Sequence, residues 1–182
     1  MKKIFCIMGK SGAGKSTIIN ALCDINDDMI AIKSYTTRDA RNEEDKLTHV
    51  FVDDNFYESH KDQAIAVYHS NHGYHSWVDN NSFFDEHFIN LYAIDSKEFV
   101  NFSKKYKNQY KIYGIYLEVD EEERKKRLIE RGSNNYYSLE GHLSSDFLKQ
   151  SCLNNYEIVN ITNMDKKQSI KLIDNIIKER AI

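Results

Sequence analysis

Three of the chain's seven glycines, Gly9, Gly12 and Gly14, fall within "GKSGAGKST", positions 9 to 17, directly after the apolar run "IFCIM". Gly9, Gly14, Lys15 and Ser16 satisfy the pattern G-x-x-x-x-G-K-[ST] of a phosphate-binding loop. The chemistry explains the spacing. Successive backbone N–H groups curl round a phosphate, and the helix behind them offers its positive N-terminus. On this reading Gly9, Ser11, Gly12, Ala13, Gly14, Lys15, Ser16 and Thr17 hold a nucleoside triphosphate. Lys15 reaches the β and γ phosphates and the Ser16 hydroxyl binds Mg²⁺. An apolar strand before the loop (Ile4 to Met8) and a helical pattern after it (Ile18, Ile19, Ala21, Leu22) supply the expected context. The motif specifies a triphosphate, not what is done with it.

Short apolar runs without clean alternation, at Lys3–Met8, Met29–Ser34, Asn90–Asp95, Lys111–Val119 and Glu157–Thr162, read as strands buried on both faces of a parallel sheet. Helical patterns at Lys15–Cys23, Lys97–Tyr106, Glu121–Arg131 and Lys166–Arg180 lie between or after them. This alternation predicts an α/β, three-layer fold around a central five-stranded parallel sheet. One domain accounts for 182 residues. The expected division is a core of residues 1–34, 89–131 and 146–182, a small α+β insert at 35–88, and a flexible lid at 132–145. Within the insert, "AIAVYHSNHGYHSWV" predicts a hairpin turning near Asn71–Gly73.

Composition narrows the function classes. A net charge of -3 gives no reason to expect nucleic-acid binding. Mean hydropathy is -0.65 and no apolar run approaches membrane-spanning length, so a soluble protein without a membrane partner is expected. Three scattered cysteines, Cys6, Cys23 and Cys152, suit a reducing cytoplasm. His69, His72 and His75 recur at intervals of three, but a hairpin is expected to turn them to different sides, which weakens a metal site there.

Arg38 and Arg41, just beyond a predicted strand, could grip a phosphate by bidentate hydrogen bonds. Taken alone they could equally be surface arginines satisfied by Asp39, Glu43, Glu44 and Asp45. They follow the phosphate loop within "SYTTRDARNEEDKLTHVFV", Ser34 to Val52. That succession, Ser-x-Thr-Thr-Arg-x-x-Arg, an acidic residue and a "-F-V-" strand, resembles the guanylate kinases, which transfer the γ-phosphate of ATP to GMP. The resemblance covers most of the chain and is sharpest at Gly9–Thr17 and Ser34–Val52.

The resemblance implies ATP and Mg²⁺ at the loop, GMP or dGMP as acceptor, and a cytoplasmic monomer or homodimer. It implies that Arg38 and Arg41 hold the acceptor phosphate and that Ser34 touches the base. Glu43 (or Glu44) falls on the family's next acidic residue, and His49 where the family has a phosphate-binding tyrosine. Tyr74 resembles a second such tyrosine, Ser76 a small hydroxyl residue at the base, and Asp95 an acidic residue near the acceptor. Arg127 and Arg131 match arginines that stabilise the transferred phosphoryl group, although "EEERKKRLIER" also reads as a solvated helix with Glu123–Arg127 pairing.

Two departures are visible. Where the family carries a base-reading glutamate, this chain has Ala64, Ile65 and Ala66. Where it carries a pair of lid arginines, the best match here is Gly141 and His142. Two alternatives stay open: a kinase of this fold with another phosphorylated acceptor, and a binding module whose catalytic residues have decayed.

Overall fold

The structure is a computed structural model and describes residues 1–40, 45–70, 73–84, 86–130 and 145–181. Strand β1 (Lys3–Met8) is buried on both faces. Phe5 and Ile7 point into one apolar cluster, Ile4, Cys6 and Met8 into the other. A strand with apolar side chains on both faces must be covered on both, and it is. Helices α1 (Lys15–Ile25) and α7 (Lys166–Arg180) cover one face through Ile18, Ile19, Leu22, Ile173 and Ile177. Helices α4 (Ser96–Tyr106) and α6 (Ser145–Gln150) cover the other through Phe99, Phe102, Tyr106 and Leu148.

Beside β1 run β2 (Met29–Ala31), β7 (Ile89–Ala93), β8 (Lys111–Glu118) and β9 (Tyr156–Asn160), all parallel, in the order β2-β7-β1-β8-β9. The chain builds one side of β1 first and the other afterwards. The order therefore reverses at β1, and its carboxyl end opens the crevice where ligands bind in such sheets. Gly114 in β8 lies opposite Cys6, and a Cβ there would meet Phe99 Cζ at 2.5 Å. The close approach of α4 to the sheet thus depends on that glycine.

The expected strand over Met29–Ser34 is divided in the structure. Met29–Ala31 pairs with β7, but Ser34–Thr36 (β3) turns away into a second sheet. Ile32 is the last residue on the large sheet's side, its N–H donating to the Leu91 carbonyl at 2.8 Å. The second sheet holds β4 (His49–Phe51), β3, β6 (His75–Val78) and β5 (Ile65–His69) in that order. Between these strands come α2 (Asp45–Thr48) and α3 (Asp54–His60). β5 and β6 form the expected antiparallel hairpin. Its own small core is aromatic: Trp77, 1% exposed, stacks on Tyr35 at 5.4 Å and tilts against Tyr57 at 4.9 Å. Helix α5 (Glu121–Glu130) follows β8 and lies against the loop after β1 through Arg124 and Leu128. Among the described residues no helix is long and apolar enough to cross a membrane.

Candidate functional site: a phosphate loop and a small-sheet cluster

The loop after β1 is shaped by what surrounds it. Gly9 has φ +143°, and a Cβ there would stand 2.7 Å from the Leu117 carbonyl of β8. Gly12 has φ +82°, and a Cβ would stand 3.0 Å from the Arg124 carbonyl of α5. Both are positions only glycine fills without strain. Gly14 differs. It takes the left-handed conformation at the N-cap of α1 and provides no side-chain cap. The first N–H groups of a helix have no intrahelical partners. A glycine cap therefore leaves the donors of α1, with its positive dipole end, open to an anion.

Lys15 folds back over the loop, donating to the Gly9 carbonyl at 2.7 Å and the Lys10 carbonyl at 3.4 Å. Ser11, Gly12 and Gly14 line the loop half-exposed, Ala13 is buried beneath it, and Ser16 and Thr17 occupy the first turn of α1. Arg127 lies against the loop: its Nη1 would be 4.0 Å from a Cβ on Gly14. Its Nε donates to Glu123 Oε1 at 3.0 Å, so the helical ion pair and the approach to the loop coexist. Arg124, on the same helix, is 4% exposed, and its Nη1 donates to the Ser11 carbonyl at 3.1 Å. The signal was present in its position: one turn before Leu128, on the buried face of an otherwise charged helix. Arg131 lies outside the described residues, as do Arg41, Glu43, Gly141 and His142.

The remaining sequence-predicted residues gather on the small sheet and the adjoining end of β7. Ser34, 6% exposed, stands opposite His49 in the parallel register. His49 Nδ1 is 2.9 Å from Thr48 Oγ1, and its ring stacks on Phe51. Ser76 Oγ donates to Thr36 Oγ1 at 2.8 Å, which fixes that hydroxyl across β3 and β6. Arg38 follows β3; its Nη1 donates to the Asp39 carbonyl at 2.9 Å and its guanidinium lies 5.4 Å from the Phe51 ring. Tyr74 faces Tyr68 across the hairpin, ring centroids 6.2 Å apart. Asp95 caps α4, accepting from the Lys97 N–H at 2.9 Å.

Tyr68 and Glu98 join this group and were not foreseen. Burial raises the Tyr68 phenol's pKa, helped by the charges of Tyr74, Asp95 and Glu98. Burial likewise raises the Glu98 carboxyl's pKa, helped by Asp95. Four acidic or phenolic groups thus share one electrostatic neighbourhood. The only sequence signal for Glu98 was its place in the first turn after Asp95.

One local reading is corrected. His69 and His75 do not face different sides: they are register partners, with Nδ1 atoms 2.8 Å apart. Directly opposed residues on neighbouring strands always share a face. His72 lies outside the described residues; among the described residues no group of three His, Cys, Asp or Glu side chains could hold a metal ion. Ile65 is 7% exposed in the main core, and a bulge follows it, with Ala66 at φ +49°. A carboxylate at Ile65 would therefore be buried in hydrocarbon rather than presented to a ligand.

A glycine loop at the crevice of a five-stranded parallel sheet, leading into an uncapped helix, defines a phosphate-loop α/β nucleotide-binding protein. Comparison with known proteins sharpens the class. A family model described as "50S ribosome-binding GTPase" matches residues 4–67, about a third of the chain, which contains the loop. A curated guanylate kinase of Prochlorococcus marinus subsp. pastoris is 28% identical, with 98% of each chain covered. The crystal structure of guanylate kinase from Anaplasma phagocytophilum superposes with a TM-score of 0.67 at 18% identity, covering all of this chain and 87% of that one. The chain has the guanylate-kinase fold and resembles a guanylate kinase from end to end, as a divergent relative.

Proposed function

We propose that this protein is a nucleoside monophosphate kinase of guanylate-kinase type, transferring the γ-phosphate of ATP to GMP or dGMP. One observation carries the reading. The chain keeps a complete phosphate loop with Arg127 against it, and separately a group of hydroxyl, phenol and imidazole side chains on the small sheet, with carboxylates at the start of α4 near Tyr68. A protein that only bound or hydrolysed a triphosphate would need the first and not the second.

Residues 9–17 hold the triphosphate by backbone N–H groups and Lys15. To do so, Lys15 exchanges its loop carbonyls for phosphate oxygens. Ser16, half-exposed in the first turn of α1, offers a hard oxygen donor of the kind Mg²⁺ prefers. When bound, Mg²⁺ supplies charge neutralisation between the phosphates. Arg38 and Arg41 grip the acceptor phosphate, with His49 and Tyr74 beside it; Ser34, Ser76, Asp95 and Glu43 contact the base or its sugar. Arg127 and Arg131 meet the charge that develops on the transferred group. Positioning and electrostatics supply nearly all of this catalysis, and no covalent intermediate is required. The two sheets form a core and an acceptor-binding insert, and residues 132–145 close over both substrates, which keeps water from the phosphoryl group. The protein acts in the cytoplasm as a monomer or homodimer.

A specific observation keeps a second acceptor in view. The stretch that carries the family's base-reading glutamate is here packed into the core at Ile65 and kinked at Ala66. A coupled assay of ADP release across GMP, dGMP, AMP, CMP, UMP and sugar phosphates tests both readings. GMP or dGMP as the best acceptor supports the proposal. Turnover confined to another phosphate overturns the acceptor assignment. ATP binding without turnover of any acceptor overturns the enzyme itself.

A further inference from the structure

At the opposite end of the parallel sheet from the phosphate loop lies a cavity of about 560 Å³. It is formed where β1 and β8 begin, by the C-terminal half of α4, the segment before β9 and the end of α7. Pockets of this size hold small molecules. Its walls include Lys3, Lys104, Lys107, Lys111 and Arg180, and no Asp or Glu. That is opposite in sign to the chain, which has 25 basic and 28 acidic residues. None of the four lysines forms an ion pair among the described residues. Arg180 is shared only loosely, its Nε 3.9 Å from Glu157 and its guanidinium over the Tyr113 ring.

A second observation is independent of charge. Ser103, 2% exposed, lines the cavity from α4, and its Oγ has no hydrogen-bond partner among the described residues. A buried hydroxyl left unpaired costs stability, and a ligand acceptor would remove that cost. The rest of the wall is mixed. Ile112 and Leu153 are apolar, whereas Asn154 and Asn155 carry amides. Asn155 already spends one N–H on the Ile112 carbonyl at 2.8 Å, which holds it in place.

We propose that this cavity is a second ligand site, distinct from the phosphate loop, for a small phosphate-bearing molecule with an apolar or ring portion. The phosphate sits among the lysines, where it relieves the repulsion of like charges. The apolar portion lies against Ile112, Leu153 and Tyr110. Because the site stands at the other edge of the sheet, its occupancy does not depend on the kinase reading.

Phenyl phosphate, which carries both features, is the probe. Titrated into isotopically labelled full-length protein, it should give saturable amide shifts at Ser103, Lys107 and Asn155. Inorganic phosphate should shift the same amides with at least several-fold weaker affinity. In Lys107→Glu/Lys111→Glu, two exposed positions, the phenyl phosphate Kd at those amides should rise roughly tenfold or more. The KM for ATP and kcat should stay within about twofold, and the thermal midpoint should stay near that of the wild type. Shifts confined to residues 9–17, shifts that never saturate, or an unchanged Kd in the double variant would each overturn the proposal. Equal affinity for phosphate and phenyl phosphate would overturn its apolar half.

Discussion

Arg124 Nη1 donates to the Ser11 carbonyl at 3.1 Å, joining helix α5 to the phosphate loop across 113 residues of sequence. The guanidinium is buried, and its Nε has no partner among the described residues. A buried charge with incomplete hydrogen bonding is costly, so this contact is retained against a penalty. The loop conformation is what it secures. Gly12 lies flat against the same turn of α5, so the loop and that helix are placed together.

Arg124→Leu should therefore loosen the loop rather than remove a ligand contact. We expect the KM for ATP to rise roughly tenfold to 150-fold, matching about 1.5–3 kcal/mol for a hydrogen bond to a charged group. Arg124→Lys should recover part of the loss. The acceptor's KM, measured at saturating ATP, should change little; a change as large as ATP's would place Arg124 in a general structural role instead.

Lys15 donates to the Gly9 and Lys10 carbonyls of the loop. Lys15→Ala should leave the fold intact by circular dichroism while lowering kcat by roughly a hundredfold or more. Turnover at the wild-type rate would rule out the assignment of this loop to the transferred phosphate.

Arg38 is expected to act on the acceptor alone. Arg38→Ala should raise the acceptor's KM and lower kcat, each by roughly tenfold, because a misplaced acceptor is also lost from the transition state. Calorimetry should find ATP binding nearly unchanged. The reverse pattern, with ATP binding lost and acceptor binding kept, would exchange the two sites.

Base selectivity should be weaker than a complete set of base-reading groups would give. One unpaired donor edge on guanine costs on the order of 1–3 kcal/mol, or roughly 5- to 150-fold in kcat/KM. GMP should still exceed AMP in competition assays, by a margin reduced to that extent. Strict GMP specificity would mean that another carboxylate reads the base. Asp79 is a poor candidate, because its Oδ1 already accepts from Asn81, Ser82 N–H and Ser82 Oγ. Glu98, beside Asp95, is the better one, and Glu98→Gln would then abolish the preference. Ile65→Glu, by contrast, should unfold the protein rather than sharpen selectivity, since it places an unpaired charge in the core.

Glu98 also gives a prediction about pH. Burial beside Asp95 raises its pKa in the folded state. The native state then binds a proton more readily than the unfolded chain. Stability contributed at this position is greatest below the ordinary carboxylate pKa and declines as pH rises through the raised one. Glu98→Gln removes that decline. Its thermal midpoint should exceed the wild type's at about pH 7, and the gap should close by about pH 4. A gap that is constant with pH would mean the carboxylate is not titrating in this way.

Much of this protein is local and therefore legible in its sequence. The phosphate loop is a contiguous run of nine residues whose glycines, lysine and hydroxyls follow from backbone geometry around a phosphate. The strands of the large sheet announce themselves as apolar runs because both faces are covered. The hairpin turn is likewise specified by neighbours in sequence.

What the sequence could not decide depends on contacts between distant segments. The run Met29–Ser34 reads as one strand, yet its second half leaves the large sheet because Thr36 finds Ser76 and His75 across the small one. The burial of Arg124 under Ser11 follows only when α5 packs against the loop after β1, since a charged helix read alone is a solvated one. The meeting of His69 with His75 depends on strand register, and the nearness of Glu98 to Tyr68 on how α4 packs against β5. Residue type and spacing determine which local shapes are possible. Which side chains share an environment is fixed by packing, because burial and electrostatics act between whichever groups the fold brings together.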